Sequence, residues 1–409
     1  MNIVLEPGAA ALLDELHRAG FGAYAVGGCV RDSLLGLAPH DWDLCTAARP
    51  GQVMELFGED RCIPTGLQHG TVTVKRDGKL YEVTTFRTEG RYSDGRHPDS
   101  VAFVPDLRED LARRDFTINA MAYSAEEGLC DPFGGREDLA RGVVRAVGEP
   151  LRRFGEDALR ILRLYRFAAR FGFAIDEATE AAAKQLASHL DCVSAERIEE
   201  ELNKLLAAPQ PGVYLEPEVL AFVLPELPPE ELTKARRRID ALPAGTEQVS
   251  ARWAALLLPL GETGARKALK RLKCSNARID GAAALVRECG EKTPDTLDKC
   301  DLRLQAKRLL GKYDLHTVQQ LTALWTALAP EEKASFDALR AEAEALTAQG
   351  TCCRISQLAV NGRDLMAAGA APGPGLRRVL EALLEEVITG RLPNEKTELL
   401  AFAAGFSAS

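Results

Sequence analysis

Apolar residues recur along the chain with two different periods, and each period predicts a different kind of element. Spacing near 3.6 residues predicts an amphipathic helix over residues 6–19, a short helix over 30–36 and another helix over 193–206. Proline in a first turn indicates a further helix from Pro50 to Phe57. A short apolar run over residues 22–28 predicts a strand that ends in two glycines.

Two β-rich runs, residues 71–76 and 79–86, are joined by Asp77-Gly78, which is a strong hairpin signal. Because side chains alternate along a strand, Glu82 faces away from its apolar neighbours in the second run. Such an acid usually faces solvent, although a metal site would also place a carboxylate there.

Helical signals dominate the rest of the chain. We expect a helix within residues 111–123 and a longer one over 156–171, where apolar positions at helical spacing alternate with arginines. Prolines between residues 211 and 229 indicate a linker, and further helices follow it. The predicted fold class is therefore α+β, with a mixed sheet and helices in the N-terminal part and only helices afterwards.

Composition is ordinary for a soluble globular protein, with 46% apolar and 27% charged residues in a chain of 409. We expect no secretory signal and no membrane span, because the N-terminus lacks a basic region and the most apolar stretch, from Trp253 to Leu260, is too short. The ten cysteines include no C-x-x-C pair. That usage indicates reduced thiols and a cytoplasmic location.

The net charge of −9 disfavours a nucleic-acid partner at first sight. Local clustering changes this picture, because eight arginines and only three acids lie between Arg141 and Arg170. A basic surface in that segment is compatible with nucleotide or RNA binding.

The densest set of candidate functional residues lies between residues 25 and 46. Gly27 and Gly28 lack a Cβ atom, so the backbone can approach phosphate oxygens there, and Arg31 follows three residues later. In a strand, Asp41 and Asp43 would point to the same side, with Trp42 directed into the core behind them. Two hard oxygen ligands beside a glycine turn suit Mg²⁺ carrying a triphosphate. Taken singly, a D-x-D pair is more often a solvated loop and a glycine pair more often a plain turn.

The combination of this glycine pair, Arg31-Asp32, Leu35-Gly36 and Asp41-Trp42-Asp43 resembles the signature of nucleotidyltransferases related to DNA polymerase beta. More narrowly, it is similar to class II tRNA nucleotidyltransferases, the CCA-adding enzymes, and to bacterial poly(A) polymerases. The resemblance implies that Asp41 and Asp43 are catalytic and hold two Mg²⁺ ions. It also implies that Glu82 is a third catalytic carboxylate.

A second matching motif, R-R-D-x-x-x-N-A, contains Arg114, Asp115 and Asn119. Asp115 would cap the following helix as a purely structural residue. Because residues four apart share a helix face, Asp115 and Asn119 would also be able to bind a ribose 2′-hydroxyl. The resemblance assigns them that role and places Arg114 on the nucleotide.

A third motif, E-D-x-x-R, supplies Asp157 and Arg160, which would be neighbours on one helix face. An ordinary intrahelical ion pair is the plainer interpretation. A carboxylate only accepts hydrogen bonds and a guanidinium only donates them, so the pair matches the base-pairing edges of cytosine and adenine and opposes uracil and guanine. The resemblance assigns this base-reading role to the pair and implies that Arg163 and Arg166 also contact the nucleotide.

The resemblance covers the whole chain, densely to about residue 205 and thinly afterwards. It implies a catalytic head (1–135), a helical neck that recognises the base (136–206), and a helical body (207–325) and tail (326–409) that bind tRNA. Arg197 and Glu201 would brace the neck. The polar stretch 87–100 is similar to the mobile loop thought to help CCA-adding enzymes switch from CTP to ATP.

The expected activity is therefore addition of CCA to the tRNA 3′ end from CTP and ATP, with release of pyrophosphate and no obligate protein partner. Addition of CC alone or of A alone stays open. So does poly(A) synthesis, although Pro64–Gly70 replaces the basic stretch typical of poly(A) polymerases. The non-enzymatic alternative is an RNA-binding protein on a decayed polymerase fold.

Overall fold

The computed structural model describes residues 3–90, 100–291 and 301–406. The chain divides into two compact units, the first formed by Met1–Pro229 with Arg271–Lys273 and the second by Glu230–Lys270 with Cys274–Ser409. In the described part of the chain, no helix is long and apolar enough to cross a bilayer.

The first unit contains all the strands that the structure describes. They are β1 (Ala23–Val26), β2 (Leu44–Thr46), β3 (Cys62–Gly66), β4 (Thr71–Arg76), β5 (Lys79–Thr85), β6 (Arg87–Glu89), β7 (Val101–Phe103), β8 (Ala122–Ser124), β9 (Gly128–Cys130), β10 (Val143–Val144) and β11 (Ala174–Ile175). Its helices are α1 (Pro7–Arg18), α2 (Gly28–Leu34), α3 (Pro50–Phe57), α4 (Leu107–Ala112), α5 (Gly135–Arg141), α6 (Pro150–Glu156), α7 (Leu159–Phe171), α8 (Glu177–Gln185), α9 (Ala195–Leu206) and α10 (Pro217–Val223).

A seven-stranded mixed sheet with the order β3-β4-β5-β2-β1-β8-β9 forms the framework of the first unit. Only β2 and β5 pair in parallel within it, with Leu44 opposite Val83. The β4–β5 hairpin is antiparallel as predicted, and its turn has positive φ at both Asp77 (50°) and Gly78 (76°). This mixed sheet and the helices around it confirm the predicted α+β class.

The second unit is helical throughout its described residues. Its helices are α11 (Pro229–Asp240), α12 (Val249–Leu257), α13 (Gly261–Arg271), α14 (Asn276–Glu291), α15 (Leu302–Lys312), α16 (Leu315–Leu328), α17 (Lys333–Ala348), α18 (Gly362–Ala367), α19 (Pro374–Ile388) and α20 (Lys396–Phe406). A separate apolar cluster near the C-terminus includes Leu365, Leu383 and Leu399.

Two helix predictions were wrong. No continuous helix follows Asp115; a single 3-10 turn (Thr117–Asn119) leads to β8, because the chain joins the sheet there: the carbonyl of Met121 accepts the N–H of Gly27 (3.1 Å) and Ala122 pairs with Val26. The helix predicted over 156–171 is interrupted between α6 and α7. Asp157 is extended there (φ −144°, ψ 106°), and its Oδ1 accepts the N–H of Leu159 (3.1 Å).

The polar stretch 87–100 is described only at its ends. Residues 87–89 form β6, which pairs antiparallel with β7, so that Arg87 lies opposite Phe103. The middle of the predicted mobile loop, residues 91–99, lies outside the described residues.

Glu6 connects the N-terminal helix to the strand that carries Glu82. Its carboxylate caps α1 by accepting the N–H of Ala9 (3.0 Å) and also accepts hydrogen bonds from Tyr81 (2.6 Å) and Lys79 (2.9 Å). Desolvation alone would raise the pKa of Glu6, but these hydrogen bonds outweigh it and lower the pKa to about 2.

We predict that Glu6→Gln lowers the free energy of unfolding by about 2 kcal/mol at pH 7. Because the folded-state pKa is depressed, this contribution is complete above the unfolded value near 4.5 and is lost as the pH falls towards 2. Denaturant unfolding of wild type and variant at pH 7, 4 and 3 measures the difference. An equal deficit at every pH would contradict the assignment.

Candidate active site

The glycine turn places backbone and a guanidinium side by side at the start of α2. Gly27 has φ 77° and ψ −122°, and its N–H donates to the carbonyl of Met121 (3.1 Å). A Cβ atom on Gly27 would lie 2.8 Å from Nη1 of Arg114, whereas one on Gly28 would lie 3.6 Å from Arg31. The backbone conformation therefore requires glycine at position 27, whereas the Arg114 guanidinium, at the end of a flexible side chain, could move away from an added Cβ atom.

The two aspartates of the D-W-D motif precede β2, so the prediction that they lie in a strand was wrong. The ladder with β1 ends with the N–H of Val26 donating to the carbonyl of Asp43 (3.0 Å). Asp41 and Asp43 are both exposed, and Trp42 is half-buried rather than part of the core. Because Trp42 precedes β2, the strand alternation that would direct it into the core does not apply.

Asp43 lies beside Glu82, because β2 and β5 run in parallel with the following residues, Leu44 and Val83, in register. Glu82 is exposed, as its alternation in β5 predicted. Desolvation and the negative charges of Glu82 and Asp41 raise the pKa of Asp43, and the positive charge of Arg114 opposes them.

The donor set therefore fits a divalent cation, because a cation bound by hard carboxylate oxygens would relieve the repulsion between the acids. Asp41 and Asp43 are the residues that would hold it. Among the residues described, no group of three or more His, Cys, Asp or Glu side chains already converges to metal-binding distance.

Arg31 and Asn119 form a buried polar contact behind the glycine turn. The Arg31 side chain is bound to Asp32 (Nε to Oδ1, 2.8 Å) and donates to Oδ1 of Asn119. Only 3% of Arg31 is exposed. The guanidinium also lies over the rings of Phe167 (5.2 Å) and Phe171 (5.0 Å), which are stacked on α7. Arg31 is thus held in the interior by its protein partners.

Asp115 and Asn119 do meet, although by a 3-10 turn rather than a helix. Asn119 donates its amide to Oδ1 of Asp115 (3.0 Å), and the same oxygen accepts the N–H of Phe116 (2.9 Å). Oδ2 pairs with Arg163 through Nε (2.8 Å) and Nη2 (2.6 Å). Burial would raise the pKa of Asp115, but Arg163 and Asn119 outweigh burial and lower the pKa well below its usual range.

The arginines of α7 are held by acids from other elements. Arg163 binds Asp115 and lies 3.9 Å from Glu201, while Arg166 pairs with Glu201 (2.6 Å) and stacks on Phe167 (3.9 Å). Burial lowers the pKa of Arg166 to about 10, with the charge of Glu201 acting in the opposite direction. One face of α7 therefore carries a row of partly neutralised guanidinium groups.

Asp157 and Arg160 each have a different partner from the one predicted. Asp157 pairs with Arg197 of α9 (2.8 Å between Nη2 and Oδ2), and Arg160 donates to Oε2 of Glu156 (2.6 Å). The break between α6 and α7 separates the two residues, which the prediction had placed on one continuous helix. Both side chains are largely buried, with 15% of Asp157 and 10% of Arg160 exposed.

Sequence reasoning missed the roles of Arg197, Glu156 and Asp110. Arg197 was expected to brace the neck together with Glu201, but it binds Asp157, forty residues away. Glu156 belongs to the quoted E-D-x-x-R motif and was given no role. Asp110 is fully buried and pairs with Arg113 (2.9 Å) and Arg114 (3.6 Å). The i,i+3 and i,i+4 spacing of Asp110 from these arginines was the available signal.

Comparison with known proteins identifies the class. The model of the poly A polymerase head domain matches residues 23–145, which include the glycine turn and all three exposed acids. A model of an RNA and SrmB binding site of polymerase A matches residues 172–228, and a tRNA nucleotidyltransferase domain 2 model matches residues 245–403. The first unit therefore carries a nucleotidyltransferase head.

Curated relatives narrow the class to a family. The chain is 39% identical over 406 residues to the CCA-adding enzyme of Latilactobacillus sakei, covering 96% of each chain. It is 37% identical over 397 residues to that of Limosilactobacillus fermentum, covering 96% of this chain and 95% of the relative. The crystal structure of Bacillus stearothermophilus CCA-adding enzyme in complex with CTP superposes with a TM-score of 0.81 at 34% identity, covering 99% and 98% of the two chains. This chain belongs to the CCA-adding enzymes, a family of tRNA nucleotidyltransferases.

We predict that Glu201→Ala lowers the free energy of unfolding by about 3 kcal/mol, because it leaves the buried Arg166 without its charge partner. The matched control is Glu200→Ala on the same helix, where the carboxylate is 64% exposed and pairs with the surface residue Lys204. We expect the control to change stability by about 0.5 kcal/mol or less. Urea unfolding of both variants measures the difference, and equal losses would contradict the buried pair's importance.

Proposed function

We propose that this chain adds C, C and A in turn to the 3′ end of tRNA from CTP and ATP, without a nucleic-acid template and with release of pyrophosphate. The observation that carries the proposal is the exposed pair Asp41 and Asp43 with Glu82 alongside, next to a glycine turn and within a family of CCA-adding enzymes. The named relatives support CCA addition over addition of CC or A alone, and over poly(A) synthesis. The substrates also support the expected cytoplasmic location.

Enzymes of this family are typically metal-dependent, and we propose Mg²⁺ held by Asp41 and Asp43. When bound, Mg²⁺ would lower the pKa of the tRNA 3′-hydroxyl and neutralise the triphosphate. Glu82 adds negative charge beside Asp43 and strengthens the field that attracts the cation.

The triphosphate would lie against the backbone of Gly27 and Gly28, because neither glycine has a Cβ atom to keep phosphate oxygens away. Arg114 is the cation best placed to bind it, because Nη1 lies against Gly27 and the side chain is partly exposed (20%). Arg31 would contribute positive charge from the interior, while its contact with Asn119 orients that amide.

Ribose recognition would involve Asn119 and Arg163, both held by Asp115. The Asp115 carboxylate already receives the N–H of Phe116, the amide of Asn119 and the Arg163 guanidinium. Its four acceptor directions are thus occupied, so its part would be to aim donors at the sugar hydroxyl rather than to accept from it. Within the described ranges, the second N–H of the Asn119 amide has no acceptor, so it would serve that purpose.

Base selection follows from the hydrogen-bonding capacity left on Asp157 and Arg160. Among the described residues, Oδ1 of Asp157 accepts from Leu159 and Arg197 and Oδ2 accepts from Arg197 alone, so Oδ2 retains a direction for an exocyclic amino group. The same part of the chain engages three of the five N–H groups of Arg160, and the others would donate to a ring nitrogen. Cytosine and adenine present that amino and ring-nitrogen pair; uracil and guanine present the reverse.

The function is tested by incubating the protein with tRNA that lacks its terminal CCA, Mg²⁺ and single labelled nucleotides. We expect C to be incorporated first and A only after two C residues. Asp43→Asn should reduce incorporation by about 1000-fold, whereas the exposed Asp60→Asn should not change it. A long A tract would indicate a poly(A) polymerase, and no incorporation at all would favour an RNA-binding protein.

We predict that Asp157→Ala lowers the preference for CTP and ATP over UTP and GTP by about 10- to 100-fold, because a lost partner for a buried polar group costs roughly 1–3 kcal/mol. Dependence of the rate on Mg²⁺ concentration should stay unchanged, since Asp157 is not among the proposed metal ligands. Steady-state kinetics with each nucleotide measures both quantities. Unaltered nucleotide preference in this variant would refute the base-reading role.

A further inference from the structure

Arginines from α6 and α7 bind the carbonyl groups of Ala112, the last residue of α4, and of Arg113, which follows it. The carbonyl of Ala112 accepts from Nη2 of Arg153 (2.6 Å), and the carbonyl of Arg113 accepts from both Arg153 (Nη1, 3.1 Å) and Arg160 (Nη2, 3.2 Å). A helix C-terminus has unpaired carbonyl groups and a partial negative charge, so guanidinium groups bind there favourably.

Glu156 links the same two arginines to each other. Its Oε2 accepts from Nη1 of Arg153 (2.8 Å) and from Nη1 of Arg160 (2.6 Å), and the backbone carbonyl of Arg153 also accepts from Arg160 (2.9 Å). Each arginine side chain is 10% exposed. We refer to Arg153, Glu156 and Arg160, bound to the carbonyls of Ala112 and Arg113, as the arginine latch.

The arginine latch lies next to the residues predicted to contact the triphosphate and the ribose. Arg114 and Asp115 directly follow Arg113, whose carbonyl the latch binds. Arg153 itself has no place in the proposed base-reading pair. Its guanidinium instead connects α6 to the end of α4. Arg160, from α7, binds at the same place. Val147 adds a further carbonyl contact to Arg153 (3.3 Å).

We propose that Arg153 is a positioning residue for nucleotide selection: it holds Arg160 at a fixed distance from Arg114 and Asp115, so that base and sugar are recognised in one geometry. This inference rests on the proposed base-reading role of Arg160. A purely structural Arg153 would affect stability and overall rate but not the ratio between nucleotides.

The experiment compares kcat/KM for CTP and UTP at saturating tRNA in full-length variants. Arg153→Met removes the forked contacts but keeps much of the side-chain volume, Arg153→Lys keeps the charge without the fork, and Arg160→Met removes the base-reading group. The matched control is Arg152→Met, because the Arg152 side chain is 78% exposed and pairs with Oε1 of Glu156 (3.4 Å), whereas both latch arginines bind Oε2. The double variant Arg153→Met/Arg160→Met measures the coupling between the two positions.

We expect the CTP-to-UTP ratio to fall about 10-fold in Arg153→Met and about 3-fold in Arg153→Lys, and to stay unchanged in Arg152→Met. Since Arg153 acts through Arg160, the double variant should match Arg160→Met within about 2-fold. If Arg153→Met does not fold, the CTP-to-UTP ratio of Arg153→Lys alone tests the inference.

A wild-type CTP-to-UTP ratio in a folded Arg153 variant would overturn the inference. It would also be overturned if the double variant showed the product of the two single effects, because the two positions would then act independently. A wild-type ratio in Arg160→Met would instead overturn the base-reading role on which the inference rests. Thermal unfolding and tRNA binding of every variant separate loss of selection from loss of structure.

Discussion

Buried ion pairs, joined through one amide, hold the nucleotidyltransferase site together. The series of contacts runs through Asp32, Arg31, Asn119, Asp115, Arg163, Glu201 and Arg166. Removing a charge from water is costly unless a partner compensates it. Each charged member of the series has a neighbour of opposite charge, and the neutral Asn119 amide links Arg31 to Asp115 by hydrogen bonds. These contacts therefore hold the sheet, the 3-10 turn and α7 in one relative arrangement. The glycine turn and the α7 arginines are positioned by the same contacts.

Ion pairs within the protein also restrain the two proposed base-reading residues, but leave part of their hydrogen-bonding capacity for a nucleotide. Asp157 is fixed by Arg197 and Arg160 by Glu156, so neither side chain has to be ordered when a nucleotide binds. Each nevertheless keeps hydrogen-bonding capacity for a base. Preorganised polar groups in a partly buried site discriminate strongly, because a mismatched base leaves them unpaired. A protein surface can in this way replace a template strand.

The fold was largely predictable from local patterns, since the β4–β5 hairpin, α1, α3 and α9 follow from periodicity and turn residues alone. The errors occurred where a local side-chain hydrogen bond or pairing with the sheet outweighs helical periodicity. The Asp157 carboxylate accepts the N–H of Leu159 and interrupts a helix that periodicity extends through it. The main chain of Met121 pairs with Gly27 of the glycine turn instead of extending a helix. The family motifs supplied the candidate site residues, but not their partners. Pairs such as Asp157 with Arg197 are forty residues apart and leave no local signal.

The central claim is that side chains of the protein select the nucleotide while the acid pair binds the metal-bound triphosphate. A crystal structure with CTP and Mg²⁺ tests it most directly. The account predicts the metal on Asp41 and Asp43, the triphosphate against Gly27, and the cytosine edge on Asp157 and Arg160. A triphosphate away from the D-W-D segment, or a cytosine beyond hydrogen-bonding distance of Asp157 and Arg160, would contradict it.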